Sequence, residues 1–409
     1  MVTVKNLNKL ENSDRLQGIP LFGLQAITDL STKIGDIGIV FPAEAQLSVE
    51  YTKYNNLYRH GNLNEDPGKV GYLEDNRRIR AIKLRGNQSD ALFMPLESLA
   101  FTGINITELK ESDEFDTLND IEICRKYEVA RRGSSLRIQV KKDSRVEEKF
   151  FPKQTDVTQW LKIVDGIPDD EWVVLTQKLH GSNIRVGNIP VTRKLSLLER
   201  LAKRIGIKIQ DREYSMVYGS HNVTKDANNP NQRHFYDSDV WTQAGQAFNG
   251  LIPENYIVFG ELIGWTESGQ PIQKHYTYNL RQSKNAVYIY RVLVVNNQGI
   301  TCDLSWDAVC DFADSIGIPH VSELWRGRKR DIMIDRFLDT KYREDGFSGA
   351  VPLAPDSPCD EGIVIRLEKG MQPVIYKAKS PVFLGHETRM LDENIVDLEE
   401  QSDVVTEPV

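Results

Sequence analysis

From Glu171 onward the chain is organised around six apolar runs rich in Val, Ile and aromatic residues: WVVLTQK, NIRVG, YIVFGELIGW, AVYIYRVLVV, GIVIRLE and PVIYKAKS. Runs of this length and composition read as strands. Two intervening stretches, at about Arg193–Arg204 and Trp306–Ile316, carry helical periodicity. Strands and helices mixed without strict alternation specify an α+β domain rather than a doubly wound parallel sheet.

The polar residues in these runs are what make them informative. TQKLHGSNIRVG (Thr176 to Gly187) places Lys178 at the end of one strand, before a small-residue turn and a second strand. FGELIG (Phe259 to Gly264), DEGIVIRLE (Asp360 to Glu368) and VIYKAKS (Val374 to Ser380) follow in that order. KxHGxN alone is a weak signal; the four together are strong. They resemble motifs I, III, IV and V of the covalent nucleotidyltransferase superfamily of polynucleotide ligases and capping enzymes. The KxHGxN form is most similar to the RNA ligase 2-like branch. The resemblance implies an ATP-grasp-like ligase domain of antiparallel sheets with flanking helices. It also implies an ATP-dependent RNA ligase that joins RNA 3′-hydroxyl and 5′-phosphate ends with Mg²⁺ or Mn²⁺.

On that resemblance Lys178 is the nucleophile that takes AMP from ATP. A free lysine, with a pKa of about 10.4, is almost wholly protonated near neutrality, so the site must favour the neutral amine. Lys377 and Lys379 are spaced to share one face of a strand, where they and a divalent ion would disfavour a third positive charge and stabilise the phosphorane. Glu361 is the expected metal ligand, since hard cations prefer oxygen. Glu261 resembles the glutamate that contacts the AMP ribose and can face metal water. The plain alternative is a solvated strand face. Gly beside each carboxylate in an apolar run favours a ligand site, because Gly is poor strand filler unless backbone must approach something closely.

Gly181 is expected to let the chain turn beneath the nucleotide, and Asn183 to order that loop or a phosphate. Gln177, whose amide pairs a donor with an acceptor, suits an adenine edge. His180 has a supporting role, a lone histidine being more often a packed residue than a catalyst. Arg366 matches the basic residue ending motif IV and is expected to contact pyrophosphate or an RNA 5′-phosphate. Two places depart from the family pattern. Val287 aligns with the adenine-stacking position, with Tyr288 and Tyr290 on the opposite face, and GSHNV (Gly219 to Val223) replaces Ser-Arg, leaving His221 or Lys225 for the phosphate.

The first third reads as short strands, FGLQAITDL, GDIGIVFP, RIRAIKLRG and ALFMPL, around a polar loop from Tyr54 to Gly71. Such spacing suggests a small all-β barrel or sandwich. The charged run Lys141 to Asp156 reads as a linker, with Thr155 or Asp156 capping a helix VTQWLKIV. The 30 residues after Lys379 are fewer than the roughly 50 of a small domain, so no barrel is expected there. By subtraction and resemblance, residues 1–150 are expected to be an OB-like RNA-binding domain. Residues 151–389 would be the catalytic domain and 390–409 an acidic tail.

Net charge −8 excludes nucleic-acid binding through bulk positive charge and leaves local patches. Arg193–Lys208, whose Leu198, Leu201, Ala202 and Ile205 form a helical stripe among cations, is one; Arg77–Arg85 and Arg326–Arg330 are others. Taken singly, each is more readily a solvated face. Four scattered cysteines suggest neither zinc nor disulfides. The amino-terminal stretch lacks an apolar signal core, and no run reaches the roughly 18 residues of a membrane span. A cytoplasmic monomer without membrane contact is expected. The rivals are a DNA ligase or GTP-using capping enzyme, and a non-catalytic nucleic-acid binding protein. Retention of Lys178, Glu261, Glu361, Lys377 and Lys379 together weighs against the last.

Overall fold

β-branched and aromatic side chains pack well on a pleated surface, and the apolar runs accordingly become strands. The computed structural model describes residues 1–21, 23–127, 145–155, 157–225, 236, 238–369 and 372–392. These form two compact units, residues 1–127 with Pro381–Asp392, and residues 145–380. The fold class is α+β.

The first unit holds a six-stranded sheet of β1 (Val2–Thr3), β2 (Asn8–Lys9), β3 (Leu16–Leu21), β4 (Leu24–Asp29), β5 (Ile37–Pro42) and β6 (Ala91–Pro95). Their order is β1-β5-β6-β4-β3-β2, antiparallel except where β4 meets β6. This all-β arrangement is consistent with the OB-like expectation.

The helix Pro381–Asp392 also packs into this unit, so the expected catalytic span to residue 389 is corrected to one ending at Ser380. Arg78 is the reason. Buried at 2% exposure, it pairs with Glu44 at 2.8 Å and Asp392 at 3.0 Å, and it donates to the Thr388 carbonyl at 3.0 Å. The most buried cation of the Arg77–Arg85 patch thus ties a helix to its sheet. The expected acidic tail lies outside the described residues beyond Asp392, as do residues 141–144 and Asp156 of the linker run. The helix expected over VTQWLKIV starts at Trp160, with Gln159 at the N-cap position and no side-chain cap bond.

The second unit contains β7 (Thr158–Gln159), β8 (Trp172–Lys178), β9 (Ser182–Thr192), β10 (Arg212–Gly219), β11 (Tyr256–Gly264), β12 (Asn285–Val295), β13 (Thr301–Asp303), β14 (Glu323–Arg328), β15 (Gly362–Leu367) and β16 (Val374–Lys379). Two five-stranded sheets result, ordered β7-β16-β15-β8-β14 and β10-β9-β11-β12-β13. The turn Leu179–Gly181 carries the chain from one sheet to the other.

Alternation sorts the side chains of the first sheet. Val173 and Leu175 of β8, with Ile363, Ile365 and Leu367 of β15, join Trp160 in a core on one face. Thr176, Lys178, Lys377 and Lys379 fall on the other. The second sheet buries Ile257, Phe259 and Leu293 with Phe150 and Phe151. Among the described residues, no helix is long and apolar enough to cross a membrane.

Candidate active site

The site lies where three strand ends of the first sheet meet. Antiparallel pairing sets Lys178 opposite Gly362 and Gly362 opposite Lys379, so both lysines flank the residue that follows Glu361. Lys178 Nζ lies 2.8 Å from Glu361 Oε2 and Lys379 Nζ 3.3 Å from Glu361 Oε1. His180 Nδ1 is 3.8 Å from Oε2. Glu361 is 1% exposed. Burial alone would push its pKa up; the ammonium groups of Lys178 and Lys379, with His180, outweigh that and hold the carboxyl well below its usual range. A buried, ionised carboxylate is stable here only because two cations face it.

Gly362 makes this approach possible. Its φ is +140°, and an added Cβ would fall 2.1 Å from the Ala378 carbonyl. Lys377 shares the face of Lys379 two residues away and stands opposite Val364.

The turn after Lys178 is fixed from the second sheet. The Gly181 amide donates to Glu261 Oε1 at 2.8 Å, and the Gly181 carbonyl accepts from Gln273 at 2.9 Å. A Cβ on Gly181 would meet the Leu262 carbonyl at 2.4 Å, so the turn lies flat against β11. The His180 amide donates to the Tyr278 hydroxyl at 2.5 Å, and Tyr276 meets the His180 ring edge-on and donates to the Cys359 carbonyl. Asn183 stands opposite Glu261, which stands opposite Tyr288, and the Asn183 amide donates to Tyr290. The tyrosines, rather than Val287, therefore share the face of Glu261.

Gln177 is corrected. Alternation turns it away from Lys178 onto the core face, where its amide donates to Asp360 Oδ1 at 2.7 Å and accepts from the Val351 amide at 2.8 Å. It is 1% exposed, its polar atoms already engaged, and no adenine edge is within its role. Arg366 bonds Glu368 at 2.6 Å and the Leu304 carbonyl, while Glu368 accepts from the Trp306 amide at the start of the helix Trp306–Ile316; the buried Nη1 of Arg366 has no hydrogen-bond partner among the described residues.

His221 sits in the turn after β10, half-buried. Lys225 is buried with Nζ 4.1 Å above the Trp241 ring, whose indole donates to Ser182 Oγ at 3.1 Å. That places Lys225 one side chain from the Lys178 turn.

Sequence reading missed Asp360, Gln273, Tyr276 and Tyr278. Asp360 accepts from Gln177 and, at 2.8 Å, from the Tyr342 amide. Burial pushes its pKa up to about 6 against the pull of those two bonds. The period-two rule applied to Gln177 and Lys178 would have exposed the error at Gln177. No local signal marks the tyrosines, which act from a loop of left-handed turns at His275, Tyr278 and Asn279.

As possible donors, Glu361 Oε2 and His180 Nδ1 lie 3.8 Å apart, and the carboxylate oxygen suits a hard divalent ion; Glu261 Oε1 is engaged by the Gly181 amide. The ammonium on Glu361 Oε2 marks where a cation is favourable.

The RNA ligase family model matches residues 171–379, half of the chain. No curated protein matches the chain by sequence. Among solved structures, a Naegleria gruberi RNA ligase mutant with ATP and Mn is similar at TM-score 0.61 and 16% identity, covering 94% of this chain and 97% of that one. The Naegleria gruberi enzyme with pyrophosphate is similar at TM-score 0.57 and 17% identity, covering 95% and 98%. At these identities the likeness establishes the fold.

Proposed function

The chain belongs to the RNA ligase family, and from that premise we propose that it seals RNA 3′-hydroxyl and 5′-phosphate ends at the expense of ATP, through a lysyl-AMP intermediate on Lys178. The observation that carries this reading is the buried triad in which Glu361 holds Lys178 and Lys379 at adjoining strand ends. A lysine that served only as a surface charge would not be set against a carboxylate at 1% exposure.

In the first step the Lys178 ammonium gives up a proton and leaves Glu361. Its lone pair attacks the α-phosphorus; the N–P bond forms as the bond to the bridging oxygen breaks, and pyrophosphate departs with the electron pair. Both protons of the conversion end in solvent. Lys379 and Lys377 face the developing charge on the phosphorane, where fixed cations in a water-poor site act most strongly.

Glu361 and Glu261 would hold Mg²⁺ or Mn²⁺, which when bound supplies positive charge to the phosphate oxygens. The Naegleria gruberi structures with ATP and Mn support the use of a divalent ion with ATP. Glu261 would also face the ribose, and Asn183 keeps the turn beneath the nucleotide ordered through Tyr290. His221 and Lys225 stand on the second sheet as contacts for the phosphates. AMP then passes to an RNA 5′-phosphate and is displaced by a 3′-hydroxyl, with the amino-terminal all-β unit gripping the strands.

The protein incubated with α-labelled ATP and Mg²⁺ or Mn²⁺ is expected to become labelled at Lys178, and GTP is expected not to substitute. Offered nicked duplexes with RNA or DNA ends, it is expected to seal RNA, and only with a 5′-phosphate. Labelling of a Lys178→Ala protein, or joining of dephosphorylated ends, would refute the reading.

A further inference from the structure

Two adjacent residues at the end of β8 meet two adjacent residues before β15 on both sides of the sheet. On the front, Lys178 pairs with Glu361 at 2.8 Å. On the back, Gln177 donates to Asp360 at 2.7 Å. The front contact must break each time Lys178 reacts. The back contact is under no such demand.

We propose that Gln177 and Asp360 form a positioning clamp that keeps the ends of β8 and β15 in register while Lys178 leaves Glu361 to attack the nucleotide. The proposal rests on the ligase reading above. The clamp is built to resist motion, because every polar atom of both side chains is used. Gln177 Nε2 also reaches the Val351 carbonyl at 3.2 Å, its Oε1 accepts from the Val351 amide at 2.8 Å, and Asp360 Oδ2 accepts from the Tyr342 amide at 2.8 Å. The backbones are tied as well, Gln177 to Ser322 at 2.8 Å and Asp360 to Thr340 at 2.9 Å. Gln177 and Asp360 are 1% and 2% exposed, so water does not compete for these bonds. Residues from four separate stretches of chain are thereby fixed behind the nucleophile.

In-line attack needs the amine within a fraction of an ångström of its productive place, and a misplacement of about 1 Å costs on the order of 100-fold in rate. Neither clamp residue touches the reacting atoms, so both are positioning residues. The pair offers its own reciprocal test. Gln177→Glu sets two carboxylates in contact, and Asp360→Asn leaves either Gln177 or Tyr342 without an acceptor. In the double variant Gln177→Glu/Asp360→Asn the donor of the side-chain pair changes sides, and only the longer bond to the Val351 carbonyl is lost. The introduced asparagine donates to the introduced glutamate and still accepts from the Tyr342 amide, while that glutamate still accepts from Val351.

The experiment measures single-turnover lysyl-AMP formation against ATP concentration in the full chain, normalised to folded protein, alongside sealing of RNA that already carries a 5′-adenylyl group. Each single variant is expected to lower the maximal adenylylation rate by roughly 100-fold, with the half-saturating ATP concentration changed less than about threefold. Sealing of the pre-adenylylated RNA is expected to fall far less, because that step does not use the Lys178 amine as nucleophile. The double variant is expected to recover to within about tenfold of the natural protein. Single variants that adenylylate normally, a double variant no better than the worse single, or a parallel fall in both reactions would overturn the clamp. If the natural protein itself takes no label from ATP, the ligase reading fails and the clamp with it. A labelled natural protein with unaffected variants sinks the clamp alone.

Discussion

Lys178 and the helix Leu197–Arg204 stand close together in sequence, both rich in cationic character, and the fold treats them in opposite ways. Lys178 ends a buried strand and meets a carboxylate that no water reaches. The helix is capped by a Ser196–Glu199 box and buries none of its residues. Leu197, Leu198, Leu201 and Ile205 are 82%, 80%, 59% and 72% exposed. Its charges are answered locally, Arg193 by Glu199 at 2.6 Å and Lys203 by Asp211 at 2.6 Å. A cation acquires chemistry when the fold forces it against something that water would otherwise solvate; a cation on an exposed helix stays a solvated charge.

The sharpest way to break this comparison is at the nucleophile. Lys178→Ala and Lys178→Arg are both expected to abolish adenylylation, a loss beyond roughly 1,000-fold, because neither offers an amine. Lys178→Arg keeps a cation beside Glu361, so its thermal unfolding is expected to stay closer to that of the natural protein than does the alanine variant. Intact-protein mass spectrometry and a thermal melt read the two effects separately. An arginine variant that still gains the mass of AMP would mean that the buried pair is not the reactive one.

Asp360 sharpens the comparison by showing what burial without a cation does. Its pKa stands at about 6 against an ordinary value of 3.8. Between those values the folded protein holds a proton that the unfolded chain has lost, so stability is present at the acid end and is lost as pH rises through the window. The expected loss is on the order of 2–3 kcal/mol between pH 4 and pH 6. Glu361 works with the opposite sign, its stabilisation present above the ordinary glutamate value and lost as pH falls through its lowered one. Urea unfolding with a chelator present at about pH 3, 4.5 and 6.5 separates the two windows, the lower interval reading Glu361 and the upper one Asp360. Asp360→Asn is expected to flatten the upper slope, and an unchanged slope in that variant would contradict the assignment.

Arg366 tests the comparison from the other side, as a buried cation whose partners are structural. Arg366→Ala is expected to lower unfolding free energy by about 1–3 kcal/mol, since Glu368 keeps its access to water and to the Trp306 amide. Adenylylation per folded molecule is expected to persist. Failure of adenylylation in a fully folded Arg366→Ala protein would restore the phosphate role that the motif suggested.

The sequence made the front of the site legible and left its back hidden, for a physical reason. Lys178, Glu361 and Lys379 each sit in a short run whose apolar alternation fixes a strand and whose polar residue has no apolar reason to be there. Strand pairing then brings them together with no further information. Gln177 carries the same local marks, yet its partners Val351 and Asp360 lie far along the chain, and only the pleat tells that it faces away from Lys178. Tyr276 and Tyr278 come from a loop whose left-handed turns have no glycine to announce them. The strands of the first third were visible, but the return of Pro381–Asp392 to that unit depends on Arg78 reading three partners at once, and a run of basic residues looks the same whether it is buried or bathed in water.

The smallest effects belong to the exposed helix. Leu198→Ser is expected to change unfolding free energy by less than about 0.5 kcal/mol, because it removes no buried surface. Replacing Arg200 and Arg204 by Gln is expected to leave both RNA affinity and its salt dependence within error. Each phosphate that a cation ceases to neutralise would flatten the slope of log affinity against log salt by about 0.7 to 0.9. The two substitutions are therefore readable in one titration series of RNA binding between low and moderate salt. A slope reduced by about 1.4 to 1.8 would show that this helix lies on the nucleic acid. Its cations would then belong with Lys178 among those given work by a partner, the partner being one that arrives rather than one that folds alongside.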